Sequence, residues 1–258
     1  MRICLLASGS KGNDLYIESG ETRLLLDAGL SLRGLKERLA TIEVDAAQLD
    51  AILVSHEHSD HCRGLGPIAR GLKLPVCIDP TSLTALGNKT GALPVVREFS
   101  AGEVIDFRDL RIETIPLTHD AVATAGFVIE SREGRIGVAT DLGIATRLVV
   151  ERLQRCRALV LEFNHDETLL RDGPYPWHLK QRIRSQHGHL SNEAGARLLD
   201  TLLWEGLEAV FLGHLSETNN TPQHALSAAR RTVDRQSCCA PELILGRQES
   251  ATICFSVL

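Results

Sequence analysis

The chain has 258 residues, of which 43% are hydrophobic and 24% charged, and its formal net charge is −5. This composition is typical of a folded globular protein and excludes a largely disordered chain or a histone-like basic protein. Aromatic residues make up only 4%, which argues against a binding protein built on extended stacking surfaces. The ten histidines are the one count that stands out, because histidine commonly binds metals and transfers protons.

Short β-strands are predicted along most of the chain. Apolar runs and alternation predict strands, in chain order, at 2–7, 14–18, 22–27, 51–54, 76–79, 104–107, 110–116, 125–130, 135–140, 158–163, 209–213, 243–245 and 252–257. Arg132, Glu133 and Gly134 are the expected turn of a hairpin between the eighth and ninth of these strands.

Helical periodicity alternates with the strands and predicts helices at 32–39, 64–72, 144–153, 192–204 and 223–235. Ser191 or Asn192 is placed to cap the fourth helix, with Glu193 in its first turn, and Pro222 suits the first turn of the fifth. These elements predict an α/β (α+β) fold with two sheets and helices on their outer faces. Because no Pro/Gly/Ser-rich boundary divides the chain, we expect residues 1–258 to form one domain.

The cysteines and apolar segments predict the compartment. Seven scattered cysteines without a CxxC pair indicate reduced, mostly buried thiols rather than a disulfide framework. The apolar run that begins at Met1 is too short for a signal peptide. No stretch approaches the roughly 18 apolar residues of a membrane span. We therefore expect a cytoplasmic protein that has no membrane partner.

The densest cluster of metal-binding residue types follows the predicted strand at 51–54. His56, His58, Asp60 and His61 occur within six residues. His56 and His58 point the same way in an extended segment, whereas Asp60 and His61 begin the next helix and face a second point. This geometry can serve two neighbouring ions, and the ligand types suit Zn²⁺, Fe²⁺ or Mn²⁺. A chance polar loop is a poor explanation for HxHxDH directly after an apolar strand.

Residues of the same chemistry follow three later strands. His119, Asp141 and His214 each stand at the exit of an apolar run. A site with two metals needs more ligands than HxHxDH supplies, and these three residues are the candidates.

The whole pattern resembles the metallo-β-lactamase superfamily, which implies a four-layer αββα sandwich. The resemblance assigns His56, His58 and His119 to one metal, Asp60, His61 and His214 to the other, and Asp141 to a bridging position beside a bridging hydroxide. His58 also stands where flavodiiron relatives carry glutamate, which argues against an oxygen-reducing role.

Three further segments resemble the YycJ (WalJ) branch of this superfamily, whose members are regarded as exonucleases. They are ASGSKGN at 7–13, LEFNHD at 161–166, and the stretch that runs from Tyr175 and Pro176 to QHGHLSN at 186–192. Asp14 departs from the small polar residue expected there, and Lys11 stands at a variable place. The first segment therefore supports no inference about the substrate.

Glu162 and His189 resemble the acid–base pair of the related tRNase Z enzymes, in which a glutamate orients a histidine near the metals. The resemblance implies that His189 protonates the leaving group and that Glu162 orients it, while Asp60 and Asp141 act with the metals. An ordinary salt bridge at a strand end is the alternative interpretation of Glu162. Cys62 adjoins the metal motif, but helical geometry turns it toward the core, so we do not count it as a ligand.

A basic segment is the expected path of a polymer. Residues 173–192 contain Lys180, Arg182 and Arg184 and no acidic residue, which makes a local charge of +3. Beside a two-metal site, this segment can follow a phosphate backbone, with Tyr175 and Trp177 available for stacking. A solvated helix with its positive face outward is the alternative.

The remaining histidines divide into two groups. His165 and His187 are further candidates for phosphate contact or for support of the ligands. His178 and His224 are expected to face solvent.

These observations favour a metal-dependent phosphodiesterase with two divalent ions (Zn, Mn or Fe) that acts as an exonuclease on DNA ends. The alternatives are a small-molecule phosphodiesterase, a thioester or lactone hydrolase, and a catalytically weak regulatory protein that keeps the fold as a binding module. Intact residues at all seven ligand positions argue against the last of these.

Overall fold

The computed structural model describes residues 1–257. Its strands, in chain order, are β1 (Arg2–Ala7), β2 (Asp14–Ser19), β3 (Thr22–Leu26), β4 (Ala51–Leu53), β5 (Pro75–Ile78), β6 (Val95–Glu98), β7 (Val104–Phe107), β8 (Leu110–Pro116), β9 (Ala125–Ser131), β10 (Gly134–Ala139), β11 (Ala158–Glu162), β12 (Ala209–Gly213), β13 (Glu242–Leu245) and β14 (Phe255–Ser256). Within residues 1–257 they form two mixed sheets, ordered β14-β1-β2-β3-β4-β5-β6 and β13-β12-β11-β10-β9-β8-β7.

Helices cover the outer face of each sheet. They are α1 (Leu32–Thr41), α2 (Ser59–Cys62), α3 (Leu65–Leu72), α4 (Pro80–Leu86), α5 (Arg147–Leu153), α6 (Glu167–Asp172), α7 (Trp177–Arg184), α8 (Asn192–Leu202) and α9 (Pro222–Val233). Side chains of α1, α3 and α4 pack on the first sheet, and those of α5, α8 and α9 pack on the second. The four-layer αββα sandwich is therefore confirmed. In the part of the chain that the structure describes, every helix is too short or too polar to cross a membrane.

The core explains why the strands are so apolar. In β1, Ile3 and Leu5 face the opposite sheet, whereas Cys4 and Leu6 face the helices. A strand buried on both faces appears in sequence as a continuous apolar run instead of an alternating one. Phe127 and Phe211, both fully buried, fill the space between the sheets. Burial of each such ring stabilises the fold by about 1.5–3 kcal/mol.

Local signals set the ends of several elements as expected. The Ser191 hydroxyl accepts a hydrogen bond from the amide of Ala194 at 3.2 Å and so caps α8. Pro222 stands in the first turn of α9. The hairpin of β9 and β10 turns at Arg132 and Glu133, which lie between the two strands.

Besides α2 and α7, three elements lie outside the predicted strands and helices, namely β6, α4 and α6. All four residues of β6 are exposed, so this edge strand has no burial pattern to reveal it and depends on pairing with β5. The other two are short helices whose N-termini are capped by Asp79 and Asp166. Their lengths of seven and six residues are too short for a helical period to emerge.

Two predicted elements are shorter in the structure. The helix expected from residue 144 begins at Arg147, because the Thr146 hydroxyl accepts a hydrogen bond from the amide of Val149. The strand expected at 252–257 contains only Phe255 and Ser256. Its start is displaced because the Thr252 hydroxyl accepts a hydrogen bond from the Leu5 amide at 3.1 Å.

The topology gathers several strand exits at one edge of the sandwich. Strands β3 to β6 are mutually parallel, and so are β10 to β13. Parallel strands place their carboxyl ends at the same edge, where binding sites of α/β sheets form.

Candidate metal centre

Three histidines from two sheets meet at one point. His56 and His58 lie between β4 and α2, and their ring centroids are 4.7 Å apart. His119 follows β8, and its Nε2 atom lies 3.3 Å from Nδ1 of His58. Nitrogen atoms of the three rings all lie within 4.8 Å of one another. This spacing allows them to bind one ion together.

A second group lies beside the first. Asp60 and His61 belong to α2, and His214 directly follows β12. The Oδ2 atom of Asp60 lies 3.4 Å from Nε2 of His61 and 3.5 Å from Nε2 of His214. Asp141 stands between the groups, with Oδ2 3.3 Å from Nε2 of His61 and Oδ1 3.8 Å from Nε2 of His119. The structure thus brings all seven predicted ligands together, with Asp141 between the two groups.

Asp27, at the exit of β3, orients part of this centre. Its Oδ2 atom accepts a hydrogen bond from Nδ1 of His61 at 2.7 Å and another from the Ser55 hydroxyl at 2.8 Å. The Ser55 oxygen in turn lies 2.9 Å from Nδ1 of His56. With Nδ1 of both rings hydrogen-bonded, Nε2 of each ring is left to face the centre.

Two further rings are oriented in the same way. Nδ1 of His214 donates to Oε1 of Glu162 at 3.0 Å, and Nδ1 of His119 lies 3.1 Å from the Gly188 carbonyl oxygen. Histidines that bind metals commonly hold their second nitrogen in such bonds, which fix the tautomer and the ring plane. Four of the five histidines therefore present Nε2 to the centre, and His58 presents Nδ1.

Three buried polar atoms of the centre have no hydrogen-bond partner, and this indicates whether the centre suits a metal. Nε2 of His56, Nε2 of His214 and Oδ2 of Asp141 are buried without a hydrogen-bond partner. Leaving a buried polar atom unpaired costs about 1–3 kcal/mol, so such atoms are rare in proteins. These three belong to the converging groups, and imidazole and carboxylate are the ligands that Zn²⁺, Mn²⁺ and Fe²⁺ accept. The residues present therefore fit divalent metal ions.

Three residues of the centre have a left-handed backbone conformation. Asp27, Asp141 and His214 have φ angles of 64°, 60° and 56°, in the left-handed region. Non-glycine residues seldom adopt this conformation, which costs of order 1–3 kcal/mol. Each of them follows a strand within two residues and turns its side chain into the centre. Such strain persists at functional sites because the surrounding fold holds it.

The charges of the centre favour a bound cation. Burial lowers the pKa of His214, but the Asp141 carboxylate and the contacts with Asp60 and Glu162 outweigh it and raise that pKa to about 10. Burial raises the pKa of Asp60, yet the hydrogen bonds with His214 and His61 bring it well below its ordinary value. The carboxylates therefore hold a positive charge in their midst, either a proton or a metal ion.

Glu162 and His189 form the pair expected from the sequence. Nδ1 of His189 donates to Oε1 of Glu162 at 2.8 Å. Glu162 is completely buried at the end of β11, and its Oε2 atom accepts hydrogen bonds from the amides of Leu142 and Leu190. His189 is partly exposed and lines the cleft above the ligands. Glu162 thus contacts two imidazole rings and two backbone amides, which exceeds the contacts of an ordinary salt bridge.

The centre opens into a cleft of about 280 Å³ whose outer wall is α7. This helix has no buried residue, and its Leu179, Arg182 and Ile183 side chains line the cleft, with Tyr175 just before it. The Nε atom of Arg182 donates to Oδ2 of Asp120, whose other oxygen lies 3.4 Å from Nε2 of His119. An ion pair thus ties the wall to the edge of the ligand group.

The other predicted substrate residues lie away from the cleft lining. The Lys180 ammonium donates to the carbonyl oxygens of Arg171 and Gly173, both at 2.7 Å. Arg184 and His187 are exposed. Among the predicted phosphate-contacting residues, only Arg182 lines the cleft in the part of the chain that the structure describes.

Three histidines and one cysteine have other surroundings. His165 is buried, and burial is the main cause that lowers its pKa to about 4, so it stays neutral near pH 7. His178 and His224 face solvent, as expected. The Cys62 thiol is buried and donates to the His56 carbonyl oxygen at 3.1 Å, as expected for a residue turned from the ligands.

Three residues of the centre were missed in the sequence. Asp27 stands at a strand exit like the predicted ligands, so the same pattern contained the signal. The Asn13 amide lies 3.0 Å from Nε2 of His61 and 3.2 Å from Oδ2 of Asp60, and only its place after the glycine-rich segment hinted at it. Asp120 has no local signal, since its contact with Arg182 joins parts of the chain that are 62 residues apart.

Several known proteins are similar to this chain in sequence or in fold. A model of the Beta-lactamase superfamily domain matches residues 22–214. The chain is 33% identical to the exodeoxyribonuclease YycJ of Bacillus anthracis over 238 residues, which cover 92% of this chain and 90% of that one. It is 37% identical to the exodeoxyribonuclease WalJ of Streptococcus pneumoniae over 225 residues, which cover 86% and 84%. The crystal structure of the metallo-beta-lactamase fold protein YhfI from Bacillus subtilis is similar with a TM-score of 0.72 and 16% identity, over 97% of this chain and 98% of that one.

Proposed function

The chain belongs to the beta-lactamase superfamily of metal-dependent hydrolases, and from this premise we propose that it is a phosphodiesterase that degrades DNA from an end. The observation that carries the proposal is the shared contact of Glu162, whose Oε1 atom binds both His189 and His214. One carboxylate thus holds a proton donor at a fixed place beside the ligand group. Cleavage of a phosphodiester needs such a donor, because the leaving alkoxide must be protonated.

Seven residues would hold two divalent ions, Zn, Mn or Fe. His56, His58 and His119 would bind one ion, Asp60, His61 and His214 the other, and Asp141 both. When bound, the two ions lower the pKa of a water and neutralise the charge that builds on the phosphate oxygens. Asp27, Ser55 and Glu162 keep the imidazole rings in place, so the ligand atoms need no reorganisation.

His189 acts as the general acid. Its Nδ1–H donates to Glu162, so Nε2 is the atom that carries the transferable proton toward the leaving oxygen. General acids of this kind contribute about 10²–10⁴-fold to the rate.

The wall formed by α7 supports an end-directed activity. A cleft of about 280 Å³ lies at the small end of ligand pockets, which span roughly 300–1,000 Å³. It has room for one nucleotide beside the ligands, with Arg182 available for a phosphate and Tyr175 for a base. Because α7 forms a wall of the cleft, we expect a strand to enter by its terminus. The names of the two exodeoxyribonuclease relatives support DNA as that strand.

The experiment compares substrates on the purified full chain in Mn²⁺, in Zn²⁺ and after chelation. We expect release of mononucleotides from linear end-labelled DNA, no cleavage of covalently closed circular DNA, and no activity after chelation. Cleavage of circles, or hydrolysis of only a cyclic phosphodiester, a thioester or a lactone, would overturn the proposal. Asp60→Ala should abolish the activity, whereas Asp106→Ala, an exposed change on β7, should not.

A further inference from the structure

Cys4 on β1 lies opposite Cys254, the residue that directly precedes β14. The strands are antiparallel, with Arg2 opposite Ser256 and Ile3 opposite Phe255, so the next pair in this register is Cys4 and Cys254. The Val257 amide donates to the Met1 carbonyl oxygen at 2.8 Å. Since hydrogen-bonded pairs alternate with the others, the two cysteines occupy a non-hydrogen-bonded pair. Cα atoms in such pairs are about 4.5 Å apart, within the range of disulfides, about 4.4–6.8 Å.

Both thiols project from the same face of the sheet. Cys4 is fully buried in the apolar cluster beneath α1 and α3, and Cys254 packs against that same cluster. The two thiols are close enough for each to shift the pKa of the other. The Cys4 thiol also contacts the Thr252 carbonyl oxygen, at 3.3 Å. A bond between the sulfur atoms therefore requires no change of strand register.

The surroundings give the two cysteines different reactivity. Cys254 is only partly buried and lines a surface cavity of about 430 Å³ together with Arg2. The hydrogen bond from Cys4 and the positive charge of Arg2 lower the pKa of Cys254 to about 7, against the effect of burial. The hydrogen bond with Cys254 and burial raise the pKa of Cys4 well above its ordinary value. A partly exposed thiol that favours ionisation thus lies beside a buried thiol that resists it, which is the arrangement of redox-sensitive cysteine pairs.

We propose that Cys4 and Cys254 form an oxidation site for hydroperoxides, in which a reversible disulfide links β1 to β14. The Cys254 thiolate attacks one peroxide oxygen, the O–O bond breaks, and the other oxygen leaves and is protonated to water. Cys254 is then a sulfenic acid. The Cys4 sulfur attacks the sulfenic sulfur, the S–O bond breaks, and the oxygen leaves with the thiol proton as water. In total, one hydrogen peroxide and two thiols become one disulfide and two waters.

The link would secure a segment that supports the metal centre. Between β13 and β14, the Arg247 carbonyl oxygen accepts from the Ser8 amide at 3.0 Å, and the Gln248 side chain accepts from the Lys11 amide at 2.8 Å. The Ser8 hydroxyl accepts in turn from the His214 amide at 2.8 Å. A disulfide at Cys254 therefore anchors the segment that holds the loop at 8–13.

A second thiol pair must be removed before this site is tested. Cys238 and Cys239 are neighbours in the chain, their sulfur atoms are 3.7 Å apart, and Cys238 is exposed. Both would react with peroxide. The parent for the test is therefore the full chain with Cys238→Ser and Cys239→Ser, in which the three other cysteines, Cys62, Cys77 and Cys156, are buried.

The experiment treats this parent with stoichiometric hydrogen peroxide, blocks free thiols with iodoacetamide under denaturing conditions, and maps the peptides by mass spectrometry. We expect loss of two hydrogens per chain, a crosslinked peptide that contains Cys4 and Cys254, and full reversal by dithiothreitol. The oxidised form should also melt at a higher temperature than the reduced form. The peptide and the shift should both disappear in Cys254→Ser, whose altered side chain is partly exposed, and in Cys4→Ala.

Two results would overturn the proposal. One is a parent whose Cys254 becomes sulfinic acid while Cys4 remains a free thiol. The other is a parent in which peroxide leaves both Cys4 and Cys254 as free thiols. Since the assay measures thiols and melting temperature and uses no nucleic acid, its outcome is independent of the proposed nuclease activity.

Discussion

The Oε1 atom of Glu162 lies 2.8 Å from Nδ1 of His189, and this buried carboxylate has no exposure to solvent. The same oxygen also accepts a hydrogen bond from His214 at 3.0 Å. One side chain therefore couples the group that we assign to proton donation with a group that we assign to metal binding. The two roles can be separated by substitution, because only one of the two histidines belongs to the ligand set.

Replacement of His189 by alanine should slow the reaction without loss of metal. We expect kcat to fall about 10²–10⁴-fold, because the leaving group loses its proton donor. Steady-state rates measure the loss of activity, and mass spectrometry of the native protein measures its metal content. His187→Ala, an exposed change on the same loop, is the control. An unchanged rate in His189→Ala would exclude the assigned role.

Replacement of Glu162 by glutamine should impair both the rate and the metal centre. The amide presents an N–H group to atoms that already donate, namely the rings of His189 and His214 or the amides of Leu142 and Leu190. We expect a fall in metal affinity of about 10–100-fold beside a loss of rate. Chelator competition measures the affinity. A variant that loses rate but binds metal normally would contradict a link through His214.

Replacement of Asp27 by asparagine should weaken metal binding although Asp27 is no ligand. The change removes the acceptor charge that holds His61 and Ser55. Loss of such supporting contacts costs about 10–100-fold in metal affinity. Titration with a coloured chelator measures the effect, and Asp106→Asn on the surface of β7 is the matched control. Equal affinities in the two variants would show that His61 needs no such support.

Replacement of Arg182 by alanine should weaken DNA binding through the backbone. The lost charge-assisted contact of about 1.5–3 kcal/mol predicts a rise in KM of roughly 10–100-fold. The dependence of log KM on log salt should become less steep by about one phosphate contact. Arg184→Ala is the matched control, because it lies two residues along the same helix outside the cleft lining. If Arg184→Ala has the larger effect, the polymer follows the outer face of α7.

Metal binding at pH 7 should release a proton from His214. The pKa of about 10 that its carboxylate neighbours maintain keeps this ring charged in the metal-free protein, and a metal ion replaces that proton. Calorimetry in buffers of different ionisation enthalpy counts the released protons. The count should be one lower in His214→Ala.

The raised pKa of His214 also predicts how the stability of the metal-free protein depends on pH. A pKa raised on folding from 6.5 to about 10 stabilises the fold fully below pH 6.5, and this contribution is lost as the pH rises toward 10. Chemical unfolding of the metal-free chain between pH 6 and pH 10 should therefore show falling stability. His214→Ala should flatten the curve, and a parallel decline in that variant would assign the effect to another group.

The sequence by itself determined which strand each candidate ligand follows, and it determined much of the fold. HxHxDH after β4, and single ligand types after β8, β10 and β12, identified seven residues that the structure then brings together. Such patterns can be recognised because hydrophobic periodicity and the residues next to a strand end are local properties. The metal-binding role of these residues, the single domain and the cytoplasmic location stay predictions.

Only the tertiary structure decided which groups support the ligands. Asp27 reaches His61 across 34 residues, Glu162 reaches His214 across 52, and Arg182 reaches Asp120 across 62. Cys4 meets Cys254 because the last strand pairs with the first. These contacts depend on sheet order and register, in which a shift of one residue turns every side chain to the other face. Local periodicity does not contain that information, because sheet order and register are set by the packing of the two whole sheets.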